Sequence, residues 1–325
     1  MSLFSKLFGK KRLIEGEFSG KRVSILREFK KPPYGGGNQF MLALKKGFLD
    51  LGVEVFNNKI NSEIDAYIFD SSWLDKDLLK KLRKVKGAKI AHRIDGPIQL
   101  YRGSDSTADD EIFELNKEFA TVTIIQSQFT LTKLLELGYQ PINPVVIYNS
   151  INPDIFFSKP TKEKSDKIRI VSASWSDNPK KGGSVYKWLD DNLDFNKVEY
   201  SFVGRINESL KNIKLIPPVD SNKVAEILRG QDIYITASEN DPCSNSLIEG
   251  LACGLPAIYR NSGGHPELVK NAGLSFNSQE EIPGLIDQVM AGYEDYVGNI
   301  NVNSITDIAH QYLTAMFQEI ESGKN

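Results

Sequence analysis

Residues 231–260 read QDIYITASENDPCSNSLIEGLACGLPAIYR. Gln231 to Ser238 are rich in β-branched and aromatic residues, the pattern of a strand. An irregular ENDPC follows, then a helix from about Ser244 toward Gly254, where Gly254 and Pro256 enforce the stop. Ala257–Arg260 is again strand-like. The helix start therefore opens beyond the carboxyl end of a strand. Free backbone N–H groups there, joined by Ser244, Asn245 and Ser246, suit a phosphate or diphosphate. Asp241 precedes that anion site and Glu249 lies inside the helix, so a ligand resting on the N–H groups meets a carboxylate on each side. Carboxylates accept hydrogen bonds from hydroxyls, and sugars and ribose are rich in them. Two purely structural readings compete. Ser246 and Glu249 have capping-box spacing, and an aspartate before Pro242 fits an Asx-type turn.

The same alternation extends outward. RVSILREF from Arg22 reads as a first strand, followed by PPYGGGNQ and a helix from about Asn38, with Phe40, Met41, Leu44, Phe48 and Leu51 inward and Gly52 as its stop. VEVF, DAYIFD, KIAHRI, TVTIIQ and PVVIYN follow as strands, separated by the helical patterns LDKDLLKKLRKV, DDEIFELNKEF and FTLTKLLELG. SINPDIFFSKPTKEKSDK loses periodicity and gathers Pro, Lys and Ser, as a linker does. A second series begins with IRIVSAS and runs through KVEYSFVG, IKLIPPV and SNKVAEILRG to the opening stretch. The expected architecture is α/β: two Rossmann-like doubly wound lobes facing each other across a cleft. Its parts are a basic amphipathic segment over 1–20, a first lobe over 21–150, a linker over 151–167, a second lobe over 168–303, and a terminal helix over 304–325 packing back toward the first lobe.

A chain of 325 residues, 40% apolar and 25% charged, fits two domains of ordinary size. Its 40 basic residues nearly balance 42 acidic ones, which gives no electrostatic argument for nucleic acid as a partner. Cys243 and Cys253 read as cytosolic thiols, and the three scattered histidines show no metal-ligand spacing. No apolar run is long enough to span a bilayer, and the expectation is a cytoplasmic protein. In MSLFSKLFGKKR, Leu3, Phe4, Leu7 and Phe8 share one helical face, and Lys6, Lys10, Lys11 and Arg12 add positive charge. Residues 2–12 read either as a terminus packed on the protein or as a peripheral contact with the inner face of a membrane.

ASENDPCSNSLIEGLACGLPAIYRNSGGHPELV resembles the nucleotide-sugar segment of retaining GT-B glycosyltransferases of family 4 (glycosyl transferases group 1). In that family two acids separated by seven residues precede an ALA-C-GLP-like run and a later Gly-Gly-x-Pro-Glu. The acids here are Asp241, where the family usually has glutamate, and Glu249. The resemblance implies that Asp241 and the backbone after it face the transferred sugar, that Glu249 binds the donor ribose, and that the diphosphate rests between them on Ser244, Asn245 and Ser246. PPYGGGNQ resembles the family's glycine-rich loop, where Gly35, Gly36 and Gly37 let the backbone approach the donor phosphates or the acceptor. VVIYNSINPDIF resembles its hinge, with Asn149 retained and Ser150 in a glycine's place. SASWSDNPKKGGSVY resembles the loop whose arginine and lysine neutralise the leaving diphosphate. Lys181 matches the lysine, but Trp175 or Ser176 fills the arginine position. Arg205, ending SFVG, is the expected substitute and Lys180 a second candidate, for which a solvated surface charge is the alternative. HRIDGP implies a histidine near the sugar, His92, beside Asp95 and Gly96, with Arg93 and Arg102 near for an anionic acceptor. His265 resembles a position near the donor sugar and phosphates, with helix capping as the alternative. Backbone around Pro218 and Val219 is expected to read the base.

The implied activity is a retaining, metal-independent glycosyltransferase. It moves a sugar from a nucleoside diphosphate sugar, its only small-molecule co-substrate and no cofactor, to a hydroxyl of a glycan or lipid-linked acceptor, as in surface polysaccharide or glycolipid synthesis. The leaving diphosphate itself helps to deprotonate the acceptor, so no dedicated protein base is expected. The alternatives are an epimerase or phosphorylase of related fold, and a catalytically silent GT-B protein that binds a sugar nucleotide or a partner glycosyltransferase.

Overall fold

The computed structural model describes residues 16–31, 35–70, 75–159 and 165–318. The proposed contact through residues 2–12 and the Pro32–Tyr34 part of the glycine-rich loop lie outside them. The first sheet comprises β1 (Arg22–Leu26), β2 (Glu54–Asn57), β3 (Ala66–Asp70), β4 (Lys89–Ile94), β5 (Val122–Ile125) and β6 (Pro144–Val146). Its helices are α1 (Gly36–Asp50), α2 (Lys76–Leu82), α3 (Ile98–Arg102), α4 (Thr107–Phe119) and α5 (Gln128–Glu136). The second sheet comprises β7 (Ile168–Ser174), β8 (Val198–Gly204), β9 (Lys214–Ile216), β10 (Ile233–Thr236), β11 (Ala257–Arg260) and β12 (Gly273–Phe276). With it come α6 (Gly183–Asn192), α7 (Ser221–Arg229), α8 (Asn245–Ala252), α9 (His265–Val269), α10 (Ile282–Ala291) and α11 (Tyr293–Gly298). A last helix, α12 (Ile305–Phe317), follows.

Both sheets are parallel, with strand orders β2-β1-β3-β4-β5-β6 and β12-β11-β10-β7-β8-β9. Strands covered by helices on both faces are mostly apolar, and AYIFD and IYIT are buried at every position, including Asp70 and Thr236. The order reverses between β1 and β3 in one sheet and between β7 and β10 in the other. Loops leaving neighbouring strands in opposite directions open a crevice there, where doubly wound sheets hold their ligands. In the second lobe the loops after β7 and β10 are the ones that carry Lys181 and Asp241.

α12 leaves the second lobe and lies against α1. Ile305, Ile308, Ala309, Tyr312, Leu313 and Met316 join Phe40, Met41, Leu44 and Phe48 in the first lobe's core. This return, with the linker, crosses between the lobes twice and restricts how they turn on each other. Among the described residues no helix is long and apolar enough to cross a membrane. β12, α10 and α11 are elements that the sequence pattern did not distinguish.

Candidate active site

Ser244 is the N-cap of α8, with extended backbone (φ −65°, ψ 104°) and no side-chain capping bond. The first N–H groups of the helix therefore stay unclaimed by a side chain. Because the helix starts at Ser244, Glu249 falls in its second turn and cannot close a capping box with Ser246. The glutamate makes no hydrogen bond or ion pair with any described residue. It lines a hollow of about 540 Å³ between the lobes, with Gly36, Gln39 and Phe40 of α1, Ser150 of the hinge, Phe156 of the linker, and Asn245. Burial alone pushes its carboxyl up to about 8. A buried carboxyl without a protein partner makes Glu249 a candidate ligand-binding group.

The first lobe closes on this helix start through its glycines. A Cβ on Gly36 would stand 2.7 Å from Cβ of Asn245, closer than side chains pack, so only glycine fits there. One residue earlier, Gly35 lies against Trp175, whose Cδ1 would be 3.0 Å from an added Cβ. Gly37 faces open space. Asn149 ties the hinge to both sides: its Nδ2 donates to Gln126 Oε1 (2.8 Å) and Asn245 Oδ1 (3.1 Å). Its Oδ1 accepts from buried Arg93 (3.1 Å), which pairs with Asp95. Arg93 is thus committed to holding the hinge and is not displayed to an acceptor, whereas Arg102 is exposed at the end of α3.

On the second lobe's own wall, Lys181 Nζ donates to Asp241 Oδ2 at 2.7 Å. Lys181 reaches it from a tight turn, Pro179–Lys181, closed by Gly182. Gly182 has φ +82°, and a Cβ there would meet Cβ and O of Ala237 at 2.5 Å, so the turn requires glycine. Burial disfavours the Asp241 charge, yet the Lys181 ammonium, the His265 ring and the Cys243 N–H hold its carboxyl below the usual range. The Cys243 bond is the Asx turn expected before Pro242.

His265 stands behind Asp241 and is wholly buried. Its Nδ1 faces the Arg260 carbonyl oxygen at 3.1 Å, an acceptor only, so Nδ1 carries the proton and Nε2 accepts from Ser238 Oγ at 3.1 Å. Burial lowers its pKa. From this buried position it supports the strand end that leads into the Asp241 loop.

Arg205 and Lys181 line one hollow of about 470 Å³, with Ser176, Asn178 and Ser184. The Arg205 guanidinium is stacked 4.2 Å from the Trp175 ring and donates to the Trp175 carbonyl oxygen at 2.9 Å. Lys180 instead pairs with Glu239 at 2.9 Å, which Arg260 also contacts at 3.2 Å. Val219 packs partly on the second lobe's core and lines neither hollow. His92 lies within β4, is fully buried, stacks on Phe69 at 4.2 Å and contacts Asn116 at 3.1 Å through Nδ1. Burial pushes its pKa down to about 3. Its side chain points into the helix-covered face of the sheet, because the strand continues past it to Ile94.

Glu267 was not singled out from sequence. Its carboxylate accepts the backbone N–H groups of Gln128 (2.8 Å) and Phe129 (2.7 Å) and the Tyr148 hydroxyl (2.7 Å). It thus caps a first-lobe helix from the second lobe. Only its place after the paired glycines hinted at a role.

Solved structures of known proteins superpose on both lobes together. Sucrose-phosphate synthase from Thermosynechococcus elongatus matches with TM-score 0.67 and 13% identity, over 91% of this chain and 95% of that one. Anabaena HepE in complex with UDP-glucose matches with TM-score 0.61 and 15% identity, over 91% and 95%. The E. coli structure titled trehalose-6-phosphate, bound with UDP-2-fluoro glucose, matches with TM-score 0.62 and 11% identity, over 92% and 100%. The fold is GT-B. Residues 205–298 match the family model Glycosyl transferases group 1. This span of the GT-B chain includes Arg205, Asp241, Glu249, His265 and Glu267. No curated protein matches the sequence.

Proposed function

We propose that the protein is a retaining, metal-independent glycosyltransferase of family 4, transferring a sugar from a nucleoside diphosphate sugar to a hydroxyl of a glycan or lipid-linked acceptor. The observation that carries the reading is Glu249: a costly, unpartnered carboxyl in a hollow shared by both lobes, beside the uncapped start of α8. The UDP-sugar ligands of two structural neighbours support the donor class. In this reading Glu249 accepts the ribose hydroxyls and the diphosphate lies on the N–H groups of Asn245 and Ser246. Asp241 and the backbone after it position the sugar. Lys181, held by Asp241, moves part of its charge to the leaving diphosphate as the glycosidic bond breaks. Arg205 supplies the second cation from the end of β8, with Trp175 fixing its plane. The leaving phosphate oxygen takes the acceptor proton on the face it departs from, so the new bond forms on that same face. The proposed setting is the cytoplasmic side of a membrane, in surface polysaccharide or glycolipid synthesis.

A second reading, a silent GT-B binder, draws on the missing arginine: Trp175 or Ser176 fills its position, and Trp175 lies against Gly35 across the cleft. Titration with UDP-, GDP-, ADP- and dTDP-sugars in chelator, for native protein and Glu249→Ala, separates the two. Slow hydrolysis of one donor, lost in the variant, supports the transferase. Binding without turnover even with pooled acceptor glycans supports the binder, and failure of every nucleotide to bind rejects both.

A further inference from the structure

A line of side-chain amides runs from the first lobe to the start of α8, and charged groups at its far end fix which way each amide points. Gln126 Nε2 lies 2.6 Å from Asp95 Oδ1 and 3.3 Å from the Ile94 carbonyl oxygen. Both atoms only accept, so this end of the Gln126 amide is the N–H end. Its Oε1 then takes an N–H of Asn149 at 2.8 Å. Arg93 fixes the other side of Asn149: a guanidinium only donates, so the atom it meets at 3.1 Å is Oδ1. The remaining Asn149 N–H meets Asn245 Oδ1 at 3.1 Å, because the reverse arrangement would set two NH2 groups face to face.

With Oδ1 held toward the hinge, Asn245 turns Nδ2 toward Gly36, 2.9 Å from where a Cβ on that glycine would stand. Nδ2 has no hydrogen-bond partner among the described residues, and Asn245 lines the same hollow as Glu249. Gly36 opens α1 and Asn245 opens α8, and neither helix start has a side-chain cap or an acidic residue in its first turn. The positive ends of both helices and an aimed N–H thus meet at one place, which suits an anion. Asn149 is buried and does not line that hollow. We propose that Asn149 is a positioning residue for the nucleotide sugar: through Asn245 it presents an N–H to the diphosphate, from the first lobe to a ligand seated on the second. The inference rests on the transferase reading above. Without the hinge bond the Asn245 amide is free to turn over and set its oxygen against the phosphates, which repels them.

The test is titration of the full chain with whichever of UDP, GDP, ADP and dTDP binds most tightly, and with the matching nucleoside, which has no phosphate. The ratio of the two affinities isolates the phosphate contribution, and nucleoside binding reports a folded site. Asn149→Asp keeps the side-chain size and the bond to Arg93 but offers Asn245 only an acceptor, so the Asn245 amide turns over. The ratio should fall about 10- to 100-fold, as for the loss of a hydrogen bond to a charged group. In an Asn245→Ala background there is no amide to turn, and any fall that Asn149→Asp still causes measures its charge alone. The proposal requires that residual fall to be at least about tenfold smaller, the coupling of a double-mutant cycle. Should Asn149→Asp lose nucleoside binding as well, the neutral Asn149→Ala replaces it, with a fall of a few-fold expected and lost in the Asn245→Ala background. An equal fall in both backgrounds, or a native ratio in the Asn149 variants, overturns the proposal and leaves the transferase reading standing. Failure of all four nucleoside diphosphates to bind native protein overturns that reading and this inference with it.

Discussion

Glu267 of the second lobe accepts the backbone N–H of Phe129 of the first lobe at 2.7 Å, and its other oxygen takes Gln128. A carboxylate at a helix start satisfies orphan N–H groups and complements the helix dipole. Here the cap and the helix belong to different lobes. Glu267 also belongs to the same short turn as Gly264, whose N–H donates to the Asp241 carbonyl oxygen at 2.9 Å. The bond thus fixes the Asp241 loop relative to the first lobe. Glu267→Ala should widen the distribution of lobe separations in small-angle scattering and lower kcat more than it weakens donor binding. Each charge-assisted bond lost contributes about 1.5–3 kcal/mol. Unchanged scattering together with unchanged turnover would discard the role.

Lys181 and Asp241 link the two loops at the second switch point, beside a second pair, Lys180 and Glu239. Removing the lysine leaves a buried carboxylate with one backbone donor and a long contact to Ser238, so Lys181→Ala should destabilise by about 1–3 kcal/mol and abolish transfer. Because the folded pKa of Asp241 is depressed, its contribution is present above about 3.8 and lost as pH falls through the folded value. An Asp241→Asn variant should therefore flatten the acid limb of the urea midpoint against pH. A limb as steep as the native one assigns acid sensitivity elsewhere.

The βα alternation made both lobes legible, because strand and helix periods differ and parallel strands here are continuous apolar runs. The positions of Asp241, Glu249, Lys181 and Gly36 at the ends of strands and the starts of helices were legible because each sits in the chain's own turn. Contacts were not legible where burial depends on what another element places opposite. His92 stood near the end of the strand KIAHRI, and two further residues of β4 follow it, with its ring under α4 beside Asn116. His265 and Glu267 differ by two positions, but one turns into the core and the other across to α5. That choice is set by the docking of lobes, which no local spacing encodes.

His92 gives a test in the opposite direction. With its ring stacked on Phe69 and its Nε2 buried without a partner, an apolar ring of similar shape loses little. Asn116 Nδ2 keeps Thr123 as an acceptor at 2.8 Å. His92→Phe should change stability by less than about 1.5 kcal/mol and leave the pH profile of turnover where it was. A large loss of kcat in a variant with native melting behaviour would return His92 to the reaction.

The hollow at Glu249 sets a second pH dependence, of opposite sign to that of Asp241. Burial raises this carboxyl from 4.5 to about 8, so the unfolded chain ionises first. Stability should then fall as pH climbs from about 4.5 toward 8 and level off above it, the reverse of the Asp241 limb. Ribose hydroxyls donate best to the ionised form, so nucleotide affinity should rise across the same interval as the free protein's carboxyl ionises. Calorimetric titration of UDP at several pH values, in buffers of differing ionisation enthalpy, should detect proton release on binding below pH 8. Glu249→Gln removes the titrating proton, and it should flatten both curves while leaving α8 intact, because the side chain makes no bond that the helix needs. If the Gln variant binds more weakly yet keeps the native pH slope, the linked proton belongs to another group, and the ribose contact at Glu249 fails with it.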